Sequence, residues 1–220
     1  MIEREFKGIK FQFEETGQAD LLAKEIFGDN YRVFAKGIEI RPGDVILDIG
    51  ACEGMFSIMM SKVFPESRVI AFEPVERAYG YLKKNIELNG AKVEAYNLGV
   101  AKVSAQRTLH VGLNNFNGGS SGVMTFDPDK HFKQVTTCLS LDDLFDWCKI
   151  DRCRLLKIDI EGMEYEVLYH SSVLQRVDYI TGEVHMNTVL DTDGYRMLGL
   201  ANWLSDRTEI VHLEPCRMAE

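Results

Sequence analysis

The chain lacks the features that mark several large classes of protein. Its five cysteines include no C-x-x-C pair, so they are predicted to be reduced thiols rather than a disulfide framework. It has no dense basic cluster and a net charge of −9, so an anionic nucleic acid is not an expected partner. It also has no apolar run of membrane-spanning length and no apolar signal region near Met1. These absences lead us to expect a cytoplasmic protein that binds neither nucleic acid nor membrane.

Length and composition favour a single α/β domain. The 220 residues are 45% hydrophobic, and no Pro/Gly/Ser-rich linker divides them, which suits one compact core. Residues 1–40 are predicted to form a small N-terminal helical cap, with a helix from about residue 19 to residue 27. Residues 41–220 are predicted to form the main domain, which follows a Pro-Gly turn.

Apolar runs and helical patterns alternate in the main domain. Strands are predicted at 44–49, 68–72 and 92–97, with helices at 54–63 and 75–88 between them. This order predicts an α/β fold whose sheet is mostly parallel, with helices on both faces. Further strands are predicted at 108–111, 134–138, 154–162 and 177–185, with a helix capped by Ser140 that ends near residue 148. The polar segment 114–122 is predicted to be a mobile loop, either a functional lid or a plain surface loop.

A glycine turn follows the first strand of the main domain. Its sequence has Asp48, Gly50, Glu53 and Gly54, and no Lys or Arg occurs between Asp48 and Lys62. Neither the Walker pattern nor the dinucleotide G-x-G-x-x-G pattern is present. Two acids beside a bound phosphate would repel it, whereas they suit a cofactor with positive charge. The turn therefore favours S-adenosylmethionine, although turns of this kind also occur in folds that bind no ligand.

A second acid extends this hypothesis. Glu73 ends the predicted strand 68–72, about 20 residues beyond the glycine turn. An acid in this position at the tip of the second parallel strand can accept hydrogen bonds from both hydroxyls of a ribose. The alternative is an acid in a solvated loop.

A second group of polar residues follows two later strands. Asp159 and Glu161 end one of them, and Glu183 and His185 end the other, two residues apart. Ligands bind outside the carboxyl ends of parallel strands, so these four side chains are predicted to meet at the edge that also carries Asp48 and Glu73. By contrast, the acids of the following helix, Glu164 and Glu166, are expected to be solvated.

The motifs together resemble one family. Asp48-Ile-Gly-Ala-Cys-Glu-Gly, Phe72-Glu-Pro, Ser140-Leu-Asp, Lys157-Ile-Asp-Ile-Glu-Gly-Met-Glu and Glu183-Val-His resemble the FkbM family of S-adenosylmethionine-dependent methyltransferases over roughly residues 38–190. The resemblance implies a Rossmann-like class I methyltransferase sheet and O-methylation of a hydroxyl on a sugar, polyketide or other small product. It implies a cofactor site made of Asp48, Gly50, Ala51, Cys52, Glu53, Gly54, Glu73, Pro74, Asn97, Val100 and Asp159. The chain departs from the family at Cys52, where Asn is usual.

Methyl transfer to a hydroxyl needs an aligned acceptor and a base that removes its proton. Asp159 is the first candidate for that base and His185 the second, with Glu161 and Glu183 orienting them. A divalent metal held by these side chains is a less favoured alternative. The acceptor is expected to be a small molecule or a glycan, and the oligomeric state stays open, with a homodimer possible. Two other functions are compatible with the sequence: a nicotinamide-dependent oxidoreductase and a cofactor-binding protein without catalysis.

Overall fold

The computed structural model describes residues 2–13, 19–113 and 127–217. In chain order the strands are β1 (Ile2–Phe6), β2 (Ile9–Phe13), β3 (Val45–Ile49), β4 (Arg68–Phe72), β5 (Val93–Tyr96), β6 (Gly99–Val100), β7 (Ala105–Gly112), β8 (His131–Leu139), β9 (Cys153–Ile158), β10 (Val177–Met186) and β11 (Glu209–Arg217). The α-helices are α1 (Ala19–Phe27), α2 (Met55–Val63), α3 (Glu76–Asn89), α4 (Leu141–Trp147), α5 (Glu164–Tyr169), α6 (Thr188–Thr192) and α7 (Met197–Ser205).

A six-stranded sheet forms the centre of the molecule, in the order β11-β10-β9-β3-β4-β5. Each pair of neighbouring strands in it is parallel. The apolar runs of the strands alternate between two cores: Leu47 and Ile49 of β3 pack into one cluster, whereas Ile46 packs into another. Helices cover both faces because each face of a parallel sheet is apolar. The predicted α/β fold, with its mostly parallel Rossmann-like sheet, is confirmed.

The N-terminal region differs from the predicted helical cap. Helix α1 lies where it was predicted, but a β1–β2 hairpin precedes it. Ile9, Phe11 and Phe13 point into the core while Lys10 is exposed, a period-two pattern that is typical of a half-buried strand. The hairpin is held against α3 by Asn85, whose Oδ1 accepts a hydrogen bond from the backbone nitrogen of Gln12 at 2.7 Å. The cap is therefore a hairpin and a helix.

A second, three-stranded sheet has the order β6-β8-β7, with β7 and β8 antiparallel. It contains the strands predicted at 108–111 and 134–138, each longer than predicted. Ser140 caps α4 as expected, because its Oγ accepts a hydrogen bond from the backbone nitrogen of Asp143 at 3.1 Å. The loop predicted at 114–122 lies outside the described residues.

The last two elements had no sequence prediction. Helix α7 packs on the sheet, and β11 adds a sixth strand parallel to β10. In the described part of the chain, no helix is both long and apolar enough to span a bilayer.

Candidate active site

A cavity of about 340 Å³ opens at the carboxyl ends of β3, β4 and β9. One wall is the N-terminal region, which contributes Leu22, Glu25, Ile26 and Tyr31. Another wall is β7, with residues 107–109. Parallel sheets bind ligands at this edge, so the cavity is the candidate active site. Of the predicted site residues, those that line it are Gly50, Ala51, Cys52, Glu53, Glu73, Pro74, Val100, Asp159 and Glu161.

The glycine turn is shaped by a close approach of two backbone segments. Gly50 has φ of +82°, and a Cβ there would lie 1.7 Å from the carbonyl oxygen of Asp159. A side chain at Gly50 would therefore force β3 and the segment after β9 apart. Gly54 is not on the cavity surface; a Cβ there would lie 2.4 Å from Leu82. The lack of a Cβ at Gly54 therefore allows α2 to pack closely against α3.

Cys52 also has a positive φ, +51°. This left-handed conformation is unfavourable for most residues with a Cβ but less so for Asn, the residue that the family usually has here. Cys52→Asn is therefore expected to raise the free energy of unfolding by up to about 1 kcal/mol, or roughly 2–4 °C in Tm. Thermal unfolding monitored by circular dichroism measures this. Cys52→Val, with a β-branched side chain, should instead lower Tm; equal Tm values for both variants would refute the role of backbone strain.

Glu73 is held rigidly at the end of β4. Its two carboxylate oxygens accept hydrogen bonds from the backbone nitrogens of Cys52 and Val75, each at 2.8 Å. Burial raises the pKa of Glu73 to about 7. Asn97 does not line the cavity; its Nδ2 donates to the carbonyl oxygens of Glu73 and Pro74 at 2.8 and 3.1 Å. Asn97 therefore fixes the loop after β4 from behind.

Lys157 supplies a cation that the sequence analysis did not place at the glycine turn. Its Nζ donates to the carbonyl oxygen of Gly50 at 2.7 Å and lies 3.2 Å from Asp48 Oδ1 and 3.7 Å from Asp159 Oδ2. Burial alone would lower the pKa of Lys157, but the Asp48 and Asp159 carboxylates raise it overall. The turn is therefore less acidic than residues 48–62 suggest.

Asp48 lies beneath the cavity rather than on its surface. Its side chain is fully buried, and Oδ2 accepts a hydrogen bond from Ser57 Oγ. Its carboxylate contacts Ser57 and Lys157 in this structure, and a contact between Asp48 and a cofactor stays a prediction.

His185 lies at the centre of the second polar cluster. Its Nδ1 is 3.0 Å from Glu164 Oε1. Glu164 is fully buried and accepts hydrogen bonds from the backbone nitrogens of Ile160 and Gly162, so the expectation that it is solvated is wrong. Burial lowers the pKa of His185, but the hydrogen bond and charge of Glu164 outweigh it and raise that pKa to about 10. We therefore expect His185 to be protonated at neutral pH, which makes it a poorer candidate for the base than a cavity carboxylate.

Three further carboxylates surround the other ring nitrogen. The Nε2 atom of His185 is 3.5 Å from Glu161, 3.8 Å from Glu183 and 3.9 Å from Asp159. The predicted convergence of Asp159, Glu161, Glu183 and His185 is confirmed. Of these four, only Asp159 and Glu161 line the cavity. Glu183 instead accepts a hydrogen bond from Cys216 Sγ at 3.0 Å.

Glu161 has an unusual backbone. Its φ is +54°, which costs a residue with a Cβ roughly 1–2 kcal/mol, and such conformations are found preferentially at functional sites. Burial raises the pKa of Glu161 to about 8, although the charge of His185 opposes the shift. Glu161, like Glu73, is therefore a cavity carboxyl whose pKa is raised into the range near physiological pH.

Tyr31 joins the N-terminal region to this cluster. Its hydroxyl donates to Asp159 Oδ2 at 3.3 Å, and its carbonyl oxygen accepts from Thr181 Oγ1 at 2.7 Å. Tyr31, Lys157 and Glu164 are site residues that were not predicted from the sequence. A lysine within the apolar run Leu155-Leu156-Lys157-Ile158 was an available signal, because buried lysines need a partner. No local signal identified Tyr31.

Comparison with known proteins identifies the family. Residues 48–208 match the model of the methyltransferase FkbM domain. Over 208 residues the chain is 28% identical to the 31-O-demethyl-FK506 methyltransferase FkbM of Streptomyces tacrolimicus, covering 81% of this chain and 77% of that protein. It is 26% identical over 204 residues to the AMB antimetabolite synthetase AmbE of Pseudomonas aeruginosa, which covers 76% of this chain. The chain spans 10% of the length of AmbE.

Among solved structures, precorrin-6y C5,15-methyltransferase of Geobacter metallireducens is 15% identical, with a TM-score of 0.46 over 79% of this chain and 69% of that chain.

The family match covers most of the chain and includes both the glycine turn and the cluster around His185. The chain therefore belongs to the FkbM methyltransferase domain family.

Proposed function

We propose that this protein is an S-adenosylmethionine-dependent methyltransferase that methylates a hydroxyl of a small-molecule or glycan acceptor. The observation that carries the proposal is the pairing, in one cavity, of the Gly50 turn with the Glu73 carboxylate. The relative from Streptomyces tacrolimicus is named for a 31-O-demethyl substrate, which supports an oxygen as the acceptor atom. When bound, S-adenosylmethionine supplies a methyl group activated by its sulfonium.

The cavity fits such a cofactor. Gly50 lines the cavity, and its lack of a Cβ lets β3 and the segment after β9 meet closely beneath the space that a ligand would occupy. Each oxygen of Glu73 has one backbone donor, which leaves lone pairs for two ribose hydroxyls. We propose that Ala51, Cys52, Glu53, Pro74 and Val100 complete the cofactor surface, and that Asp48 and Asn97 support it from behind.

The other end of the cavity, near β9, is where we place methyl transfer. Asp159 and Glu161 line this end of the cavity. The Nε2 atom of His185 lies 3.9 Å from the Asp159 carboxylate and 3.5 Å from the Glu161 carboxylate. The best base has a pKa near the working pH. Asp159 accepts a hydrogen bond from the Tyr31 hydroxyl and lies 3.7 Å from Lys157 Nζ, so its carboxylate is already engaged, whereas burial raises the pKa of Glu161 to about 8. We therefore propose Glu161 as the base and Asp159 as the group that orients it, which reverses the order favoured by the sequence.

The polar cluster also offers a donor set for a divalent cation, made of Asp159, Glu164 and His185 or of Glu183, His185 and Cys216. A metal would require His185 to lose its proton, and Glu164 already accepts from two backbone nitrogens. We propose that transfer needs no metal here. Retention of full activity in EDTA is the expected result.

The acidic surroundings and the missing phosphate-binding pattern make a nicotinamide oxidoreductase the weaker alternative. A protein that binds the cofactor without catalysis is the other alternative, and an assay separates it from the proposal. Purified protein is incubated with S-adenosylmethionine and a panel of polyols, aminosugars and macrolides, and S-adenosylhomocysteine release is measured. Acceptor-dependent release with methylated product supports the proposal; tight cofactor binding without release for any acceptor favours the non-catalytic alternative.

We further propose a cytoplasmic location, with no nucleic-acid or membrane partner.

Removal of the Glu73 carboxylate is expected to weaken cofactor binding. A hydrogen bond to a charged group contributes about 1.5–3 kcal/mol, so Glu73→Ala should raise the Kd of S-adenosylhomocysteine roughly 10- to 100-fold. Isothermal titration calorimetry measures this, with Glu76→Ala as the matched control because Glu76 is an exposed acid nearby. An unchanged Kd in folded Glu73→Ala would remove Glu73 from the site.

The same carboxyl predicts the pH dependence of binding. Because the ionised form of Glu73 is the stronger acceptor and its pKa is about 7, affinity for S-adenosylhomocysteine should fall as pH is lowered through 7. The variant Glu73→Gln should lose this dependence on the acidic side.

A further inference from the structure

Arg107 of β7 is a cation in the cavity wall for which the mechanism has no use. Its Nε is buried and has no hydrogen-bond partner, and none of the ion pairs within residues 2–13, 19–113 and 127–217 includes its guanidinium. Arg107 also lines the cavity, so its guanidinium is available to a ligand there.

The position of Arg107 indicates which part of a ligand it meets. Arg107 lies opposite Thr136 of β8, on the sheet face that also carries Gln134 and Cys138. Gln134 Nε2 donates to the carbonyl oxygen of Pro74 at 2.7 Å. A Cβ on Gly99 would lie 2.6 Å from Cys138 Sγ. This face therefore packs on the segments that follow β4 and β5.

The sheet order separates this end of the cavity from the methyl-transfer end. Asp159 and Glu161 follow β9, which is two strands from β4 and three from β5 in the order β9-β3-β4-β5. At about 4.8 Å per strand, the two ends are roughly 10–14 Å apart. Glu73, at the tip of β4, lies between them. In S-adenosylmethionine the ribose likewise lies between the sulfonium and the adenine.

We propose that Arg107 binds the adenine base of the cofactor, with its guanidinium against the face of the purine. The inference rests on the proposed cofactor and extends its site to the β7–β8 hairpin, which lies outside the central sheet. Guanidinium groups stack on aromatic rings, and adenine is neutral, so no anion is needed beside Arg107. An anionic group on the acceptor is the competing ligand, and it would have to reach past Glu73.

The test is calorimetry with S-adenosylhomocysteine and with 5′-methylthioadenosine, which keeps the adenine and ribose but lacks the amino-acid end. Arg107→Met should raise the Kd of both ligands by the same factor, roughly 3- to 30-fold. Arg107→Lys should behave like Arg107→Met, because an ammonium lacks the planar group that stacks. Lys102→Met, which removes an exposed positive charge from the same region, is the control and should change the Kd less than twofold.

The outcomes distinguish failure of the cofactor assignment from failure of the role proposed for Arg107. No binding of either ligand to the unaltered protein would overturn the cofactor assignment itself. Binding that is unchanged in folded Arg107→Met would overturn only the role of Arg107. Full affinity in Arg107→Lys together with a loss in Arg107→Met would show that charge, not stacking, is required, and would also overturn it.

Discussion

Replacement of Lys157 by methionine is expected to destabilise the protein more than any other single change discussed above. Lys157 is opposite Asp48 in the β3–β9 ladder, and its side chain is 4% exposed while that of Asp48 is fully buried. Removal of one partner leaves the other charge buried without compensation, which costs about 3–5 kcal/mol. For a chain of this size we expect Tm to fall by roughly 6–20 °C.

The controls isolate the ion pair. Lys36→Met removes an exposed lysine and should leave Tm within about 1 °C, because surface substitutions have small effects. The double variant Lys157→Met/Asp48→Asn should be more stable than Lys157→Met alone, since no full charge then remains at position 48. If the second substitution lowers Tm further by its own full amount, the two residues are not coupled.

Replacement of Glu161 by glutamine is expected to have the largest effect on turnover. A general base contributes about 10²–10⁴-fold, and glutamine has nearly the same shape without the basic oxygen. Because a base acts in the transition state, affinity for S-adenosylhomocysteine should stay within about threefold. The measurement is single-turnover methyl transfer with an acceptor from the panel, alongside calorimetry.

Asp159→Asn and the pH profile test the assignment of roles. Turnover of the unaltered protein should rise as Glu161 ionises, with an apparent pKa of about 8. In Asp159→Asn, turnover should still rise with pH. The midpoint of the rise should move to lower pH, because the charge of Asp159 raises the pKa of Glu161. Full turnover in Glu161→Gln, together with loss of turnover in Asp159→Asn, would return the role of base to Asp159.

The sheet could be predicted from the sequence because each buried strand is a continuous apolar run, which is visible without knowledge of distant contacts. Runs such as Val69-Ile70-Ala71-Phe72 are buried on both faces, and each ends at a polar residue or glycine. Once the order of strands and helices is known, the meeting of their carboxyl ends follows, and so does the placement of Glu73 and Glu161 at one cavity. The hairpin at residues 2–13 was missed, although its alternating pattern was present.

The finer chemistry of the site depends on contacts between distant segments. The pairing of Asp48 with Lys157 depends on the register between β3 and β9, which neither strand specifies alone. Glu164 looks like a helix acid, but the turn after β9 folds its carboxylate back onto Ile160 and His185. Tyr31 reaches Asp159 across 128 positions of sequence. These contacts favour Glu161 over Asp159 as the base, because burial raises the pKa of Glu161 while Tyr31 and Lys157 engage Asp159.

Binding of S-adenosylmethionine in the cavity is tested most directly by one calorimetric experiment. S-adenosylhomocysteine, NAD and ATP are titrated separately into the unaltered protein at pH 8, where Glu73 is ionised. We expect saturable binding of S-adenosylhomocysteine with a Kd in the micromolar range, about −8 kcal/mol, and no measurable heat of binding with NAD or ATP. Tight binding of NAD with none of S-adenosylhomocysteine would contradict the account.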